Sequence, residues 1–313
     1  MSLTQTLQVF EAFDSSAASG RTVVDLMAPY REDGVEVEVV KISGSKGSTD
    51  FVKIFVPGAK GKRTGGSAPS LGIVGRLGGI GARPSRIGLV SDADGAIAAV
   101  ASALKLALMR RQGDALPGDV FVTTHICPDA PTRPHEPVDF MDSPITTEDV
   151  SGHEVWDEMD AVLSIDTTKG NRIINHKGYA LSPTVKEGYI LRVSEDLLRI
   201  MEMTSGRHAV TFPITTSDIT PYGNGVHHLN SIMQPSIATR APVVGIAITT
   251  ESVVPGCGTG ASHEPDIALA VKFAVEVAKE FGRGTCAFYD PEEYARLFEL
   301  YGSMAHLQRP HAG

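Results

Sequence analysis

The sequence has few cysteines and no long hydrophobic run, and these absences exclude several classes of protein. Three cysteines occur among 313 residues, far apart at Cys127, Cys257 and Cys286. That spacing argues against a disulfide framework and favours a reducing compartment. No apolar run approaches the roughly 20 residues that a membrane helix needs, and the N-terminus lacks the basic start and apolar stretch of a secretion signal. We therefore expect a cytoplasmic protein without a membrane partner.

Positive charge is also scarce. The chain has 28 Lys and Arg residues against 37 Asp and Glu residues, which is a formal net charge of -9. This balance does not favour binding to the phosphate backbone of nucleic acid. The hydrophobic content of 42% is ordinary for a globular protein. We expect a small-molecule or peptide substrate, no nucleic-acid partner, and a homo-oligomer.

Strand-like and helix-like segments alternate from about residue 70 onward. Short apolar runs that predict buried strands are followed by segments with apolar residues at helical spacing. This order predicts a three-layer α/β/α fold around a mostly parallel, doubly wound sheet. One domain of residues 1–313 is expected, in which residues 1–69 form a helical and β extension to the core of residues 70–313. The strand-like runs are residues 35–39, 50–56, 71–74, 87–90, 120–124, 161–165, 210–214 and 243–248, and residues 128–150 predict a long loop.

Three polar residues recur at one predicted edge of this sheet. Asp92, Asp166 and His263 each follow a strand-like run, and open α/β sheets bind ligands outside the carboxyl ends of their strands. Carboxylates and imidazole can share a metal ion. Each residue also has a structural explanation: Asp92 as a helix cap, Asp166 as a turn residue, and His263 as a surface residue before a helix.

A second group of polar residues lies in the segment 124–129. His125 and Cys127 project to the same face of a strand, and imidazole and thiolate both suit zinc. Cys127 and Asp129 are therefore candidates for additional metal ligands, and His125 is a candidate general base. The alternatives are that Cys127 is a small buried apolar residue and that His125 is structural.

Three further residues are candidates for substrate binding. Arg76 could hold a substrate carboxylate through two hydrogen bonds, or it could form a structural ion pair. His227 and His228 are adjacent, so their side chains point apart and chelate a metal poorly. One of the two could reach a substrate.

The order of these motifs resembles that of the co-catalytic zinc exopeptidases, in particular the glutamyl-aminopeptidase-like and tetrahedral aminopeptidases. Asp92 matches the aspartate of that family that bridges two metals, Asp166 matches a later aspartate ligand, and His263 matches the final histidine ligand. The resemblance covers roughly three quarters of the chain. It implies a phosphorylase/hydrolase-like fold, one or more zinc ions, and action on small peptides, amides or amino-acid derivatives.

The chain departs from this family where the remaining ligands should lie. Arg76 replaces the first zinc-binding histidine, and Ile126 and Cys127 replace a pair of glutamates that includes the general base. Arginine stays charged and cannot ligate a metal. We therefore expect a hydrolase with a reduced site that holds one divalent ion, zinc before others. The alternative is a non-catalytic descendant that binds a small ligand or serves in an assembly.

The spacing of the motifs also limits the domain content. Twelve residues separate Gly79 from Asp92, which leaves no room for the barrel that tetrahedral aminopeptidases insert there, and no lid domain fits later in the chain. The whole chain also resembles an uncharacterised prokaryotic family, the domain of unknown function 1177. That resemblance implies no activity.

Overall fold

A computed structural model describes residues 2–254 and 257–309. The strands in this part of the chain are β1 (Glu36–Gly44), β2 (Gly47–Val56), β3 (Leu71–Gly75), β4 (Val120–Ile126), β5 (Thr132–Arg133), β6 (Phe140–Met141), β7 (Ala161–Thr167), β8 (Gly178–Leu181), β9 (Val185–Lys186), β10 (Tyr189–Ile190) and β11 (Val243–Thr249). The helices are α1 (Leu3–Phe13), α2 (Gly20–Met27), α3 (Asp94–Arg111), α4 (Thr147–Glu154), α5 (Glu195–Ser205), α6 (Glu264–Gly282) and α7 (Pro291–Tyr301).

The main sheet has the strand order β1-β2-β4-β3-β7-β11-β9-β10, with β8 also paired to β11. Its centre is parallel, because β3 pairs in parallel with β4 and β7, and β7 pairs in parallel with β11. The outer pairs are antiparallel. The predicted α/β fold with a mostly parallel central sheet is confirmed. The N-terminal hairpin of β1 and β2 extends the same sheet through an antiparallel pair with β4.

The four parallel strands are mostly apolar and buried along almost their whole length, as expected for strands covered on both faces. Helices α1, α3, α5 and α6 share one hydrophobic core with these strands. The opposite face is covered by a thinner layer, which includes the 3₁₀ helix Ser231–Ile237 and the segment around Trp156. No helix in the described ranges is both long and apolar enough to cross a membrane.

Helix α3 approaches the ends of the strands closely because Gly95 has no side chain. A Cβ atom at Gly95 would lie 1.9 Å from the carbonyl oxygen of Arg76 and 2.4 Å from that of Ile165. The first turn of α3 therefore lies directly against the ends of β3 and β7. This contact brings Asp92 and Asp94 to the edge at which the parallel strands end.

The segment predicted as a loop over residues 128–150 is partly structured. It contains the two-stranded pair of β5 and β6, and helix α4 begins at Thr147. Thr146 caps α4 by accepting a hydrogen bond from the backbone N–H of Asp149. The helix is mostly polar, so its sequence carries no clear apolar periodicity, and this explains why the prediction missed it.

Candidate functional site

Six ionisable side chains meet at the carboxyl edge of the parallel strands. They come from the loop after β3, the start of α3, the end of α4, and the end of β7 with the loop that follows it. All six side chains are at least 96% buried. The acids are Asp92, Asp94, Glu154 and Asp166, and the cations are Arg76 and Lys169.

Asp92 is a buried carboxyl group without an ion-pair partner among the described residues. Its Oδ2 accepts a hydrogen bond of 3.2 Å from the backbone N–H of Gly79. Its own backbone N–H donates to the carbonyl oxygen of Cys257 at 3.1 Å. Its side chain does not cap α3, so the cap explanation is not what the structure shows. Burial, followed by the negative charge of Asp166, raises the pKa of Asp92 to about 8.

Asp94 is tied into a network of direct contacts. The Nζ of Lys169 lies 2.7 Å from its Oδ2, and the hydroxyl of Thr167 lies 3.3 Å from the same oxygen. The hydroxyl of Ser262 donates to its Oδ1 at 2.5 Å. Burial raises the pKa of Asp94, and the charge of Lys169 acts in the opposite direction. Every contact of this carboxylate is thus to a donor of the chain itself.

Asp166 ends β7 and faces the 3₁₀ helix Ser231–Ile237. The hydroxyl of Ser231 donates to its Oδ2 at 2.8 Å, and the backbone N–H of Thr167 donates to its Oδ1 at 2.7 Å. Burial raises the pKa of Asp166 to about 6, although the charge of Arg76 acts to lower it. Asp166 is therefore mainly ionised at neutral pH, whereas Asp92 is mainly protonated.

Arg76 forms a buried ion pair with Glu154. The distance between Arg76 Nε and Glu154 Oε1 is 2.8 Å, but the N–H does not point at the carboxylate, so neither Glu154 oxygen accepts a hydrogen bond from the described residues. Arg76 Nη1 donates to the carbonyl oxygen of Ser231 at 2.5 Å. Burial raises the pKa of Glu154 to about 7, with the charge of Arg76 acting against it. Of the two interpretations offered for Arg76, the structural ion pair is the one found.

His125 is held at both ring nitrogens. The backbone N–H of Gly78 donates to Nε2 at 3.1 Å, so Nδ1 carries the proton and donates to the hydroxyl of Thr49 at 2.9 Å. Burial and the nearby charge of Arg76 lower the pKa of His125 to about 3. In this arrangement neither ring nitrogen is free to take a proton from a substrate. The geometry corrects the general-base expectation and makes His125 a residue that positions the loop after β3.

The second predicted group of ligands does not assemble. Cys127 is buried, and its Sγ lies 3.6 Å from the carbonyl oxygen of Ser48 and 4.0 Å from Asp129 Oδ1. Burial raises the pKa of Cys127 to about 12, so in the absence of a bound cation the sulfur is a thiol. Asp129 is exposed. The apolar interpretation of Cys127 therefore agrees better with its surroundings.

The three remaining candidate histidines lie at the margin of the buried acids. His227 is exposed, and His228 is half-buried with its Nε2 3.1 Å from the carbonyl oxygen of Thr220. His263 is exposed and directly precedes α6. Its neighbour Ser262, and not His263, contacts the acid cluster. A substrate-binding function for His227 and His228 remains a prediction.

The sequence resemblance implies zinc, and the arrangement of donors can be compared with that requirement. Residues 2–254 and 257–309 contain no group of three or more His, Cys, Asp or Glu side chains placed to hold a metal ion. The expected convergence of Asp92, Asp166 and His263 on one cation is thus not found. Arg76 also directs a positive charge toward Asp166. The donors that are present do not fit a zinc centre.

Two members of the site were missed by sequence reasoning. Glu154 ends a helix that was not predicted, and Lys169 lies three residues after Asp166 in a loop. Only the position of Lys169 shortly after a predicted strand end could have drawn attention to it. Asp94 lies two residues after Asp92, but this spacing gives no sign of its buried cation partner.

The overall fold has a similar counterpart among the solved structures. The structure is similar to the crystal structure of Acidobacteriales bacterium glutaminyl cyclase, with a TM-score of 0.51 and 14% sequence identity over 91% of this chain and 93% of that chain. At this identity the similarity concerns the fold. A search of the curated proteins found no match.

The family of the chain is shown directly by its sequence. Residues 40–311 match the family described as Protein of unknown function (DUF1177). The match covers most of the chain, so the protein belongs to this family. The predicted resemblance to DUF1177 is confirmed, whereas the resemblance to the exopeptidases is not directly confirmed and stays a prediction.

Proposed function

We propose that this protein is an enzyme that acts on small amides, peptides or amino-acid derivatives at the carboxyl edge of its sheet. The observation that carries the proposal is the pair of buried acids Asp92 and Asp166, placed together where α/β folds bind their substrates. The similar fold of a glutaminyl cyclase and the motif order of the exopeptidases both point to the chemistry of small amides.

The two acids have the properties of a general acid and a general base. Their surroundings raise the pKa of Asp92 to about 8 and that of Asp166 to about 6. When two carboxyl groups differ in pKa in this way, the one with the higher pKa can act as the acid and the other as the base. Near pH 7, Asp92 would donate a proton to the leaving nitrogen or carbonyl oxygen. Asp166, held by Ser231, would accept a proton from water or from a substrate nucleophile.

Apolar side chains are exposed in the loops that follow β3, β7 and β11 and in the segment before the 3₁₀ helix Ser231–Ile237. Apolar walls around a few polar groups are typical of sites for small molecules. These side chains would contact an apolar substituent of the substrate, while the acids act on its amide. They are Ile87, Ile173, Val226, Leu229 and Val253, of which Ile87 is 90% exposed and Val253 is 73% exposed.

A resident zinc ion is what the fold resemblance implies, but no step of this proposal depends on it. The described donors do not form a three-ligand site, and the proton transfers need only the side chains named above. Metal analysis of protein purified without chelator tests this part of the proposal.

The function is tested by a substrate screen. Dipeptides, amino-acid amides, N-acyl amino acids and glutaminyl peptides are incubated with the protein and analysed by mass spectrometry, with and without EDTA. Turnover that is lost in Asp92→Asn and Asp166→Asn, but kept in the exposed control Asp25→Asn, supports the proposal. Equal turnover in all three variants would contradict it.

A second candidate function is the binding of a small ligand without turnover. The observation in its favour is that two of the four acids already pair with cations of the chain, as a site without a reaction to perform could. Thermal unfolding with the same compounds distinguishes the two candidates. A ligand that raises the melting temperature and is recovered unchanged would favour binding.

Self-association is part of the proposal as well. Helix α7 contains no buried residue, and Phe298, Leu300 and Tyr301 are all about half exposed or more. Apolar side chains on a helix that packs weakly are typical of subunit interfaces. Light scattering of the purified protein measures the oligomeric state, and a monomer at micromolar concentration would contradict the expectation.

A further inference from the structure

Two ion pairs at the site are buried to a degree that no other pair in the described chain approaches. The side chains of Lys169 and Asp94 are 4% and 0% exposed, and those of Arg76 and Glu154 are both 2% exposed. Every other ion pair of the described residues has both partners at least 13% exposed. Buried charges are costly unless they are paired, so these two pairs need an explanation.

The acids of these pairs lie beside the two carboxylates that the sequence resemblance assigns to a metal. The charge of Asp94 acts on Asp92, and that of Asp166 acts on Glu154. Both oxygens of Asp94 already accept hydrogen bonds, since Lys169 and Thr167 contact Oδ2 and Ser262 donates to Oδ1. These donors hold the carboxylate in place, and Lys169 neutralises its charge. The ammonium group of Lys169 therefore already supplies the positive charge that these carboxylates require.

Arg76 supplies the second buried positive charge of the site, as Lys169 supplies the first. It pairs with Glu154, and its charge also acts on Asp166. A guanidinium group keeps its charge at every pH that a folded protein tolerates. A divalent ion placed beside it would be repelled, and the two cations would compete for the same acids.

We propose that Arg76 and Lys169 take the electrostatic place of a metal ion in this site. The two side chains neutralise and hold Asp94, Glu154 and Asp166, so that the site is assembled without a metal. The inference takes the location of the site from the proposed function. The measurements that test it need no turnover.

The first test uses the wild-type protein. Its metal content is measured after purification without chelator, and its melting temperature is measured with EDTA, MnCl₂, MgCl₂ and ZnCl₂. We expect no stoichiometric metal and no shift in melting temperature beyond the scatter between repeats. One equivalent of bound metal per chain, together with a higher melting temperature, would overturn the inference.

The second test removes one of the cations. Lys169→Met leaves Asp94 buried without its partner, and we expect the melting temperature to fall by about 5–10 °C. The freed carboxylates now resemble a hard-cation site, so Mn²⁺ should restore part of the loss and bind with a measurable heat in calorimetry. The matched control is Lys62→Met, which removes the exposed pair with Asp160 and should gain no affinity for Mn²⁺.

A third variant covers the case in which Lys169→Met does not fold. Lys169→Met combined with Asp94→Asn removes both charges, and we expect it to fold and to bind no Mn²⁺. The inference fails if this double variant is also unfolded, or if Lys169→Met is as stable as the wild type and gains no metal affinity.

These outcomes separate the inference from the proposed function. A metal-free wild type with a Mn²⁺-dependent Lys169→Met variant supports the inference even when every substrate fails. Turnover that requires a bound metal would support the enzymatic proposal and refute the inference.

Discussion

The two edges of the parallel sheet use acidic residues in different ways. At the amino edge, Asp160 precedes β7, accepts a hydrogen bond of 2.7 Å from the backbone N–H of Ser70, and pairs with the exposed Lys62. Asp119 precedes β4 and accepts a hydrogen bond from the backbone N–H of Gly58. These acids hold loops by ordinary hydrogen bonds. An acid at this edge is fully compatible with a structural function.

At the carboxyl edge the acids lie together and away from water. Asp92, Asp166 and Glu154 all have raised pKa values, and burial is the largest cause in each case. Three acids that are costly to ionise at one place do not stabilise a loop. Neither residue type nor the burial of a single acid distinguishes the edges, since Asp119 at the amino edge is only 1% exposed. The difference is that several buried acids lie close together at the carboxyl edge.

The largest expected difference between the edges is catalytic. With a substrate from the screen, we expect Asp92→Asn or Asp166→Asn to lower kcat/KM by about 10²–10⁴-fold, the usual contribution of a general acid or base. Asp160→Asn at the opposite edge should leave kcat/KM within about twofold of the wild-type value, because it lies far from the reacting atoms. Steady-state kinetics measures all three variants, and similar losses at both edges would remove the distinction.

The second prediction concerns the buried ion pair of Arg76 with Glu154. Arg76→Met leaves a buried carboxylate without its cation, so we expect a loss of about 3–5 kcal/mol in the free energy of unfolding at pH 8. The loss should be smaller at pH 5, because Glu154 can then be protonated. Urea denaturation at both pH values measures this. The matched control is the exposed pair of Arg21 with Asp25, where Arg21→Met should cost at most about 1 kcal/mol.

The third prediction follows from the raised pKa of Asp92. The folded protein binds the Asp92 proton up to about pH 8, whereas the unfolded chain releases it near 3.8. Between these values the folded state holds more protons, so the free energy of unfolding falls as the pH rises. Asp92→Asn should remove this dependence and stabilise the protein at pH 8 by a few kcal/mol, on the order expected for such a shift.

Thermal or urea unfolding from pH 5 to pH 9 checks the third prediction. At pH 5 the wild type and Asp92→Asn should differ less than at pH 8. Unfolding releases the Asp92 proton throughout this range, and each unit of pH makes that release more favourable until folded Asp92 itself ionises near pH 8. A stability difference that does not change with pH would mean that Asp92 is not buried as a protonated acid.

The smallest effect is expected for His125. His125→Gln keeps a polar side chain but cannot accept from Gly78 and donate to Thr49 with the same geometry, so we expect a loss of about 1–2 kcal/mol in stability. The pH optimum of any activity should not move, since His125 is neutral in the folded protein. A shifted optimum would restore His125 as a proton carrier.

The sequence was informative about the elements and poor about the contacts. The strands predicted from residues 71, 120, 161 and 243 onward begin where the structure has β3, β4, β7 and β11, because buried parallel strands are continuous apolar runs. The predictions of strands at 87–90 and 210–214 are wrong. Gly88 has a φ of 90°, and Pro213 lacks the N–H group that a strand pair needs. The apolar pattern could not show whether Asp92, Asp166 and His263 lie close enough to bind one metal ion. Strand order brings loops to one edge, but it does not determine which side chains turn inward.

By itself the sequence determined the alternation of strands and helices, the edge at which a site should lie, and the family to which the chain belongs. Only the tertiary structure decided that Lys169 meets Asp94, that Arg76 meets Glu154, and that His125 is held at both nitrogens. The physical reason is that each of these contacts joins segments far apart in the chain. The ionisation of a carboxyl group depends on the water and the charges around it, which exist only after the chain has folded.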